Sequence, residues 1–212
     1  MSIVELPNVE PLVELAEGGG PTHQMRAVTK EVASGSGWGS ETAVEVGEFF
    51  DSLAPEWDAK RLDRKRDVPV EDALNRGGID LGRDWIELGC GTGSATAVLK
   101  PRVGSLVAVD LSSAMLGHAP RELGPFVRAD ASSLPFRDNQ FGGIMLMNMF
   151  LFPAEVDRIL ANDGWIVWVN SRAEQTPIHL SASAVAEALP GEWNGYTSRA
   201  DTGLWATMTR AR

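Results

Sequence analysis

The sequence WIELGCGTGS, at residues 85–94, decides the fold of this 212-residue chain. An apolar run at residues 85–88 leads directly into three alternating glycines, and these lead directly into a helical pattern that begins at Ser94. Glycines are needed where a chain turns sharply and where a ligand lies against bare backbone. The helix N-terminus that follows presents unpaired N–H groups, which favour an anion such as a phosphate or a carboxylate. The stretch therefore predicts a strand, a ligand-binding turn and a helix.

A second signal is Asp110, which lies 21 residues after Gly89 at the end of the next predicted strand, residues 106–109. A carboxylate at this spacing can accept hydrogen bonds from both ribose hydroxyls of an adenosine. The alternative is a plain glycine-rich turn with an unrelated surface aspartate. Read as the dinucleotide pattern G-x-G-x-x-G/A, the sixth position is Ser94, so the glycines leave NAD(P) and FAD open as ligands.

Short apolar strands alternate with helical patterns from Trp85 to the C-terminus. Strands separated by helices pair in parallel, with helices on both faces of the sheet. The last two strands, residues 193–198 and 204–209, are joined by a few residues only and must form a hairpin. The pattern predicts an α/β fold, a Rossmann-like three-layer sandwich with a mostly parallel seven-stranded sheet and an antiparallel C-terminal hairpin strand.

Residues 1–40 have a different character, with glycine- and serine-rich breakers at residues 18–20 and 34–37. Such breakers indicate irregular structure, with room for one short helix over residues 23–32. We expect this segment to be either a mobile tail or a lid, and residues 41–212 to form the folded domain.

The formal net charge of −10 argues against a nucleic-acid ligand, because such binding depends on clustered Lys and Arg. The one basic cluster, residues 60–66, is interrupted by Asp63 and has the composition of a solvated helix face. The single cysteine, Cys90, forbids an intramolecular disulfide, and three histidines make a Cys/His metal cluster improbable. We expect a cytoplasmic protein, monomeric or homodimeric, with no metal, no targeting segment and no membrane partner.

Residues 87–93 (ELGCGTG) resemble the first motif of the class I S-adenosylmethionine (SAM)-dependent methyltransferases, in which an acidic residue two places before the first glycine is typical. Residues 107–116, 128–141 and 160–165 are similar to later motifs of that family, in the same order and spacing. Residues 50–58 resemble the segment before the core in the ubiquinone/menaquinone-biosynthesis subgroup. The resemblance covers about residues 45–210, and it departs from the family in two turns, at Gly142 and at residues 162–164.

The resemblance implies that SAM is the cofactor and S-adenosylhomocysteine (SAH) the product. It assigns the SAM site to Glu87, Gly89, Cys90, Gly91, Gly93, Asp110, Leu111, Met115, Asp130, Ala131 and Asn148. In this assignment the glycine loop presents backbone to the methionine end, and Glu87 orders that loop or contacts the amino group through water. Asp110 holds the ribose hydroxyls, and the Asn148 carbonyl faces the methionine amino group.

The adenine contacts are implied in the same way. Leu111 and Met115 flank the ring, Asp130 accepts from the adenine N6, and the Ala131 N–H serves N1. Cys90 is expected to be an unreactive small residue of the loop, because nothing in the sequence lowers its pKa.

Methyl transfer from a sulfonium needs orientation and exclusion of water, and a general base only when the acceptor must lose a proton. His179, which follows the predicted strand at residues 165–169, is the candidate base; packing or helix capping is the other interpretation of this histidine. His23 can act as a base only if the N-terminal segment, residues 1–40, folds over the site. The sequence leaves the catalytic residue undetermined.

Aromatic residues are the candidates for the acceptor pocket, with core packing as the alternative. Trp57, Phe150 and Phe152 are the residues selected, and Trp38, Phe49 and Phe50 lie upstream. A pocket lined in this way favours an apolar or planar acceptor. The predicted function is transfer of the SAM methyl group to a small-molecule acceptor, at O, N or C. The alternatives are a SAM-binding protein with a non-methylating or regulatory role and an NAD(P)-dependent oxidoreductase.

Overall fold

The computed structural model describes residues 2–13, 20–59 and 67–211. Its strands are β1 (Ser2–Glu5), β2 (Asp84–Leu88), β3 (Ser105–Asp110), β4 (Phe126–Arg128), β5 (Phe141–Met147), β6 (Leu160–Asn170), β7 (Trp193–Ala200) and β8 (Gly203–Arg210). They form one sheet in the order β1-β7-β8-β6-β5-β2-β3-β4. Strand β8 runs antiparallel to both of its neighbours, and all other neighbouring pairs are parallel. The predicted α/β class and the antiparallel hairpin strand are confirmed.

The α-helices are α1 (Met25–Ala33), α2 (Ser40–Leu53), α3 (Val68–Arg76), α4 (Ser94–Leu99), α5 (Ser113–His118), α6 (Pro153–Ile159) and α7 (Ala182–Ala188). Short 3-10 turns lie at Ala54–Glu56, Lys100–Arg102, Arg121–Leu123 and Ala173–Gln175. Alternate residues of the central strands face opposite sides, so that Ile86 packs with α6 and α7 whereas Trp85 packs with α3 and α4. Two hydrophobic layers therefore enclose the sheet, which gives the predicted three-layer sandwich.

The sheet has eight strands among the described residues, one more than the sequence predicts. The additional strand, β1, pairs in parallel with β7 from Ser2 opposite Asn194 to Glu5 opposite Thr197. The prediction of irregular structure is therefore wrong for residues 2–5. Four residues are too few to display a strand period, and their partner lies about 190 positions away, where no local pattern reports it. Helix α1 agrees with the predicted helix over residues 23–32.

One other prediction meets the limits of the described chain, because residues 60–66 lie outside the described part. The basic cluster predicted to be a solvated helix face falls on those same residues. The described segments contain no helix long and apolar enough to cross a membrane.

The topology indicates which edge of the sheet is the place for a ligand. Strands β2, β3, β5 and β6 are parallel, so their carboxyl ends meet at this edge. The chain proceeds from β2 through β3 to β4 on one side and places β5 and β6 on the other, so the strand order reverses between β2 and β5. Ligands of open α/β sheets bind at such a reversal point.

Candidate functional site

The turn after β2 is held in left-handed backbone conformations by its three glycines. The φ angles are 72° at Gly89, 55° at Gly91 and 88° at Gly93, and Gly93 is the N-cap of α4. A side chain at Gly89 would lie 2.5 Å from the Met149 sulfur, whereas one at Gly91 would meet nothing within 4 Å. The loop is therefore packed against protein at its start and bordered by open space at Gly91, as a cradle for a ligand requires.

Asp110 connects the end of β3 to this loop. Its Oδ2 accepts a hydrogen bond from the Gly91 N–H at 2.7 Å, and its Oδ1 accepts one from the Ser112 N–H at 2.8 Å. Burial raises the pKa of Asp110, although the backbone N–H groups oppose this by stabilising the carboxylate. Each carboxylate oxygen has a second lone pair, so Asp110 can position the loop and still accept from two hydroxyl groups.

Glu87 lies beneath the loop, with only 1% of its surface exposed. The Thr96 hydroxyl of α4 donates to Glu87 Oε2 at 2.6 Å, which joins β2 to α4. Burial raises the pKa of Glu87 to about 8, and the nearby Asp110 carboxylate adds to this effect. Burial also raises the pKa of the Cys90 thiol, so the cysteine in the loop is held protonated.

Asp130, which follows β4, is held from two directions. Its Oδ1 accepts from the Ser132 N–H at 2.8 Å, and the indole N–H of Trp38 lies 3.2 and 3.0 Å from its two oxygens. The Trp38 ring packs against Phe150 and Phe152, with ring centroids 5.6 and 5.0 Å apart. A residue of the N-terminal segment therefore contacts the acidic residue that is predicted to face adenine.

The exits of β5 and β6 are joined by a reciprocal pair of hydrogen bonds. The Asn148 amide donates to the Ser171 hydroxyl at 2.8 Å, and the Ser171 N–H donates to Asn148 Oδ1 at 2.8 Å. Asn148 has a φ of 53°, a left-handed conformation that asparagine tolerates better than most residues. This fixes the direction of the backbone where β5 leaves the sheet, which is the place predicted for a contact to the methionine amino group.

Helix α2 and the residues after it are tied to the same loop. Asp51 accepts hydrogen bonds from the Ser112 hydroxyl and, at 3.0 Å, from the Ala114 N–H at the start of α5. The bond from Ser112 is the main reason that the pKa of Asp51 is lowered. Asp58 accepts from the Thr92 hydroxyl of the glycine loop at 2.7 Å. The segment 50–58 therefore fixes both the loop and the residues after Asp110.

These elements enclose a cavity of about 270 Å³. Of the predicted site residues, those that line it are Gly89, Cys90, Gly91, Asp110, Leu111, Met115, Asp130, Ala131, Asn148, Trp57, Phe150 and Phe152. Glu87, Gly93 and His179 are not in the lining. The lining also includes residues that the sequence analysis named without selecting them, which are His23, Trp38, Phe49 and Phe50. Other lining residues were not named by it, among them Met25, Thr92, Ser171, Arg172 and Thr176.

The two histidines that the sequence analysis considers as bases lie in different environments. His179 is partly buried, and its Nε2 is buried without a hydrogen-bond partner in the described part of the chain. Burial lowers the pKa of His179. His23 does line the cavity, because the N-terminal segment folds over the site, and its Nδ1 accepts from the Met25 N–H at 3.2 Å. Sequence patterns gave no signal for this, because it depends on how residues 20–39 pack.

Residues 86–168 match the model of a family described as a methyltransferase domain. The matched span starts in β2 and runs through the glycine loop, Asp110 and Asp130 to β6. This part of the chain is therefore similar to a methyltransferase domain, in agreement with the resemblance of residues 87–93 to the first motif of the class I SAM-dependent methyltransferases.

A demethylmenaquinone methyltransferase of Paenarthrobacter aurescens is similar to part of this chain. The two are 32% identical over 106 residues, which cover 46% of this chain and 40% of that protein. The chain spans half or less of the length of the curated relatives that it matches.

Solved structures show the same fold. A SAM-dependent methyltransferase of Thermotoga maritima, described as a possible histamine N-methyltransferase, has a TM-score of 0.60 at 14% identity, over 77% of this chain and 99% of that one. A [4+2]-cyclase has a TM-score of 0.55 at 19% identity, over 69% of this chain and 71% of that one. At these identities the likeness is one of fold. The described residues contain no cluster of three or more metal-binding side chains.

Proposed function

We propose that the protein transfers the methyl group of SAM to a small-molecule acceptor by in-line displacement. The observation that carries this proposal is the Asp110 carboxylate. It is bonded to the Gly91 N–H at 2.7 Å, it lines the cavity, and it stands at the reversal point of the sheet. An adenosyl ligand with an amino-acid end requires a loop whose backbone is open on the side of the ligand. It also requires a carboxylate that fixes the loop from the opposite side and accepts from the ribose, which is the role that we propose for Asp110.

The residues present fit such a ligand along its length. At the methionine end, Gly91 leaves open space above the loop, and Asn148 directs the backbone of the β5 exit. At the ribose, Asp110 retains acceptor capacity on both oxygens. At the adenine, Leu111 and Asp130 line the cavity. The carboxylates also favour a cation, and SAM carries positive charge on its sulfonium.

SAM supplies an activated methyl group, so the chain contributes orientation and a dry site. The aromatic side chains of Trp57 and Phe50 pack edge to face with centroids 5.9 Å apart, and both line the cavity. Phe150 and Phe152 also line the cavity and are nearly fully buried. We infer from this lining that the acceptor is apolar or planar. A screen in which small charged acceptors are preferred would contradict it.

No base is assigned, because His179 is not in the lining and the His23 Nδ1 is engaged by the Met25 N–H. The proposal therefore favours an acceptor that needs no proton removal by the protein. The buried, protonated Cys90 fits a reducing compartment, and small-molecule metabolism in the cytoplasm is the setting that we propose.

A second candidate function is SAM binding without methyl transfer. The specific observation in its favour is the similarity in fold to a [4+2]-cyclase, which shows that this architecture also serves other chemistry. Conversion of bound SAM to SAH in the presence of an acceptor separates the two functions.

The test is a calorimetric titration of the purified protein with SAM, SAH and NAD, in parallel with an Asp110→Ala variant. Micromolar binding of SAM and SAH that the variant loses would support the proposal and justify an acceptor screen. Binding of NAD alone would overturn it. Binding of SAM with no turnover across a broad acceptor screen would favour the non-methylating alternative.

A further inference from the structure

The N-terminal segment, residues 20–39, forms a cover over the cavity. Met25 and Val32 of α1 pack in one hydrophobic cluster with Phe150 and Phe152, which follow β5. The Arg26 guanidinium donates to the backbone carbonyls of two residues after β6, at 2.7 and 2.8 Å. The cover is therefore fixed to the body of the protein along α1.

The cover is held differently at its other end. In the stretch 34–40, which the structure describes throughout, every residue is exposed except Trp38, which is partly buried. Gly35 and Gly37 have φ angles of 79° and 70°, and a side chain at Gly35 or Gly39 would meet nothing within 4 Å. The backbone N–H groups of residues 34–36 donate to carbonyls of residues 30–32, so these residues are held to α1 and not to the sheet. The Trp38 indole is the side chain of this stretch that bonds to the body of the protein, at Asp130.

The position of Trp38 gives this attachment a function. Trp38 and Asp130 both line the cavity, and both also line a second groove formed by residues 32–40 and 153–155. The pair is thus the boundary between the cavity and the surface. Separating the indole from the carboxylate would open the cavity at its adenine end.

We propose that the Trp38–Asp130 pair is the latch of a cofactor lid and sets the rate at which SAM enters and SAH leaves. This inference rests on the proposed function, since it requires an adenosyl ligand in the cavity. The two indole bonds and the Ser132 bond leave one acceptor position on Asp130 Oδ2. Adenine N6 can take that position while the latch is closed, so that one carboxylate holds both the ligand and the lid.

The first test measures the latch without ligand, by hydrogen–deuterium exchange over residues 34–40. Trp38→Phe keeps an aromatic ring against Phe150 but removes the indole N–H, and we expect faster exchange in this stretch. Asp130→Ala should have a similar effect, and the double variant should add little to either single change, because each change removes the indole–carboxylate interaction. Unchanged exchange in the two single variants would overturn the latch.

The second test measures SAH dissociation by rapid displacement. A hydrogen bond to a charged group is worth roughly tenfold or more in an equilibrium, so Trp38→Phe should release SAH about tenfold faster. The matched control is Trp165→Phe, which removes an indole outside the cavity lining and should leave the rate unchanged. Equal rates in the wild type and in Trp38→Phe would overturn the latch while leaving the proposed function intact. A wild-type protein that binds no SAH would overturn the proposed function, and with it the role of this pair as a cofactor latch.

Discussion

Glu87 makes the stability of the protein depend on pH. The side chain is 1% exposed, and burial raises its pKa to about 8, whereas an unfolded chain gives a glutamic acid a pKa near 4.5. Between these two values the folded state binds a proton that the unfolded state has released. Stability must therefore fall as the pH rises through this window. The expected loss is about 1.4 kcal/mol per pH unit in the middle of the window.

The perturbation that isolates this effect is Glu87→Gln, which keeps an oxygen to accept from Thr96 and cannot ionise. Between pH 5.5 and 7.5 the wild type should lose about 2.5 kcal/mol of unfolding free energy relative to the variant. For a chain of this length that corresponds to roughly 5 to 10 °C in Tm. Urea or thermal unfolding at pH 5.5, 6.5 and 7.5 measures both quantities.

Glu155→Gln is the matched control. Burial opposes ionisation of Glu155, but hydrogen bonds from Arg158 and from the Leu134 N–H outweigh it, so its pKa is lowered. A lowered pKa contributes stability that is lost only as the pH falls below the ordinary range of a carboxyl group. The difference between this variant and the wild type should stay constant from pH 5.5 to 7.5. If the Glu87→Gln difference is equally constant, the buried carboxyl does not titrate in this window and the reasoning is wrong.

Three further predictions follow from the site. Gly91→Ala should weaken SAH binding in calorimetry and lower the free energy of unfolding by about 1–2 kcal/mol, because Gly91 has a left-handed backbone. Gly89→Ala should lower the free energy of unfolding further, because its new side chain would lie 2.5 Å from a methionine sulfur. Equal SAH binding by Gly91→Ala and the wild type would contradict the role of the loop as a ligand cradle. Cys90 should react with a thiol reagent only after denaturant is added, since burial raises its pKa, and rapid labelling of the native protein would show otherwise. Asp51→Ala should lower the free energy of unfolding, measured by urea unfolding, by about 1 kcal/mol, because the hydrogen bonds that Asp51 accepts at the start of α5 are lost. The pKa of Asp51 is lowered in the folded state, so this loss should be largest at pH values above the ordinary pKa range of carboxyl groups.

The sequence was sufficient for the part of the fold in which local pattern and chain direction decide the structure. The glycine loop, the strands before and after it and the helix at Ser94 follow from hydrophobic period and backbone requirements. The hairpin of β7 and β8 follows from the shortness of its connection. Strand β1 could not be predicted, because its pairing with β7 joins the two ends of the chain.

The residues of the candidate site likewise form two groups, those whose position follows from the sequence pattern and those whose position does not. Asp110 and Asn148 follow parallel strands, so the topology brings them to one edge once the strands are known. His23 and Trp38 lie in a segment without strong periodicity, and their positions depend on tertiary packing, which for Trp38 includes Phe150. The sequence analysis names Trp38 among several aromatic residues. Nothing in the sequence indicates that the Trp38 indole bonds to Asp130 and does not simply pack in the core.

Two sources of structure therefore contribute different chemistry to one cavity. The edge of the sheet supplies backbone and carboxylates, which are fixed by hydrogen bonds such as Gly91 to Asp110 and so cannot move without breaking the loop. The N-terminal cover supplies His23, Met25 and Trp38 to the lining, and its outer end is held to the sheet side through Trp38. Within the described chain, the stretch 34–40 combines two glycines beside open space with one partly buried side chain, Trp38, and this is where we expect the ligand to be exchanged.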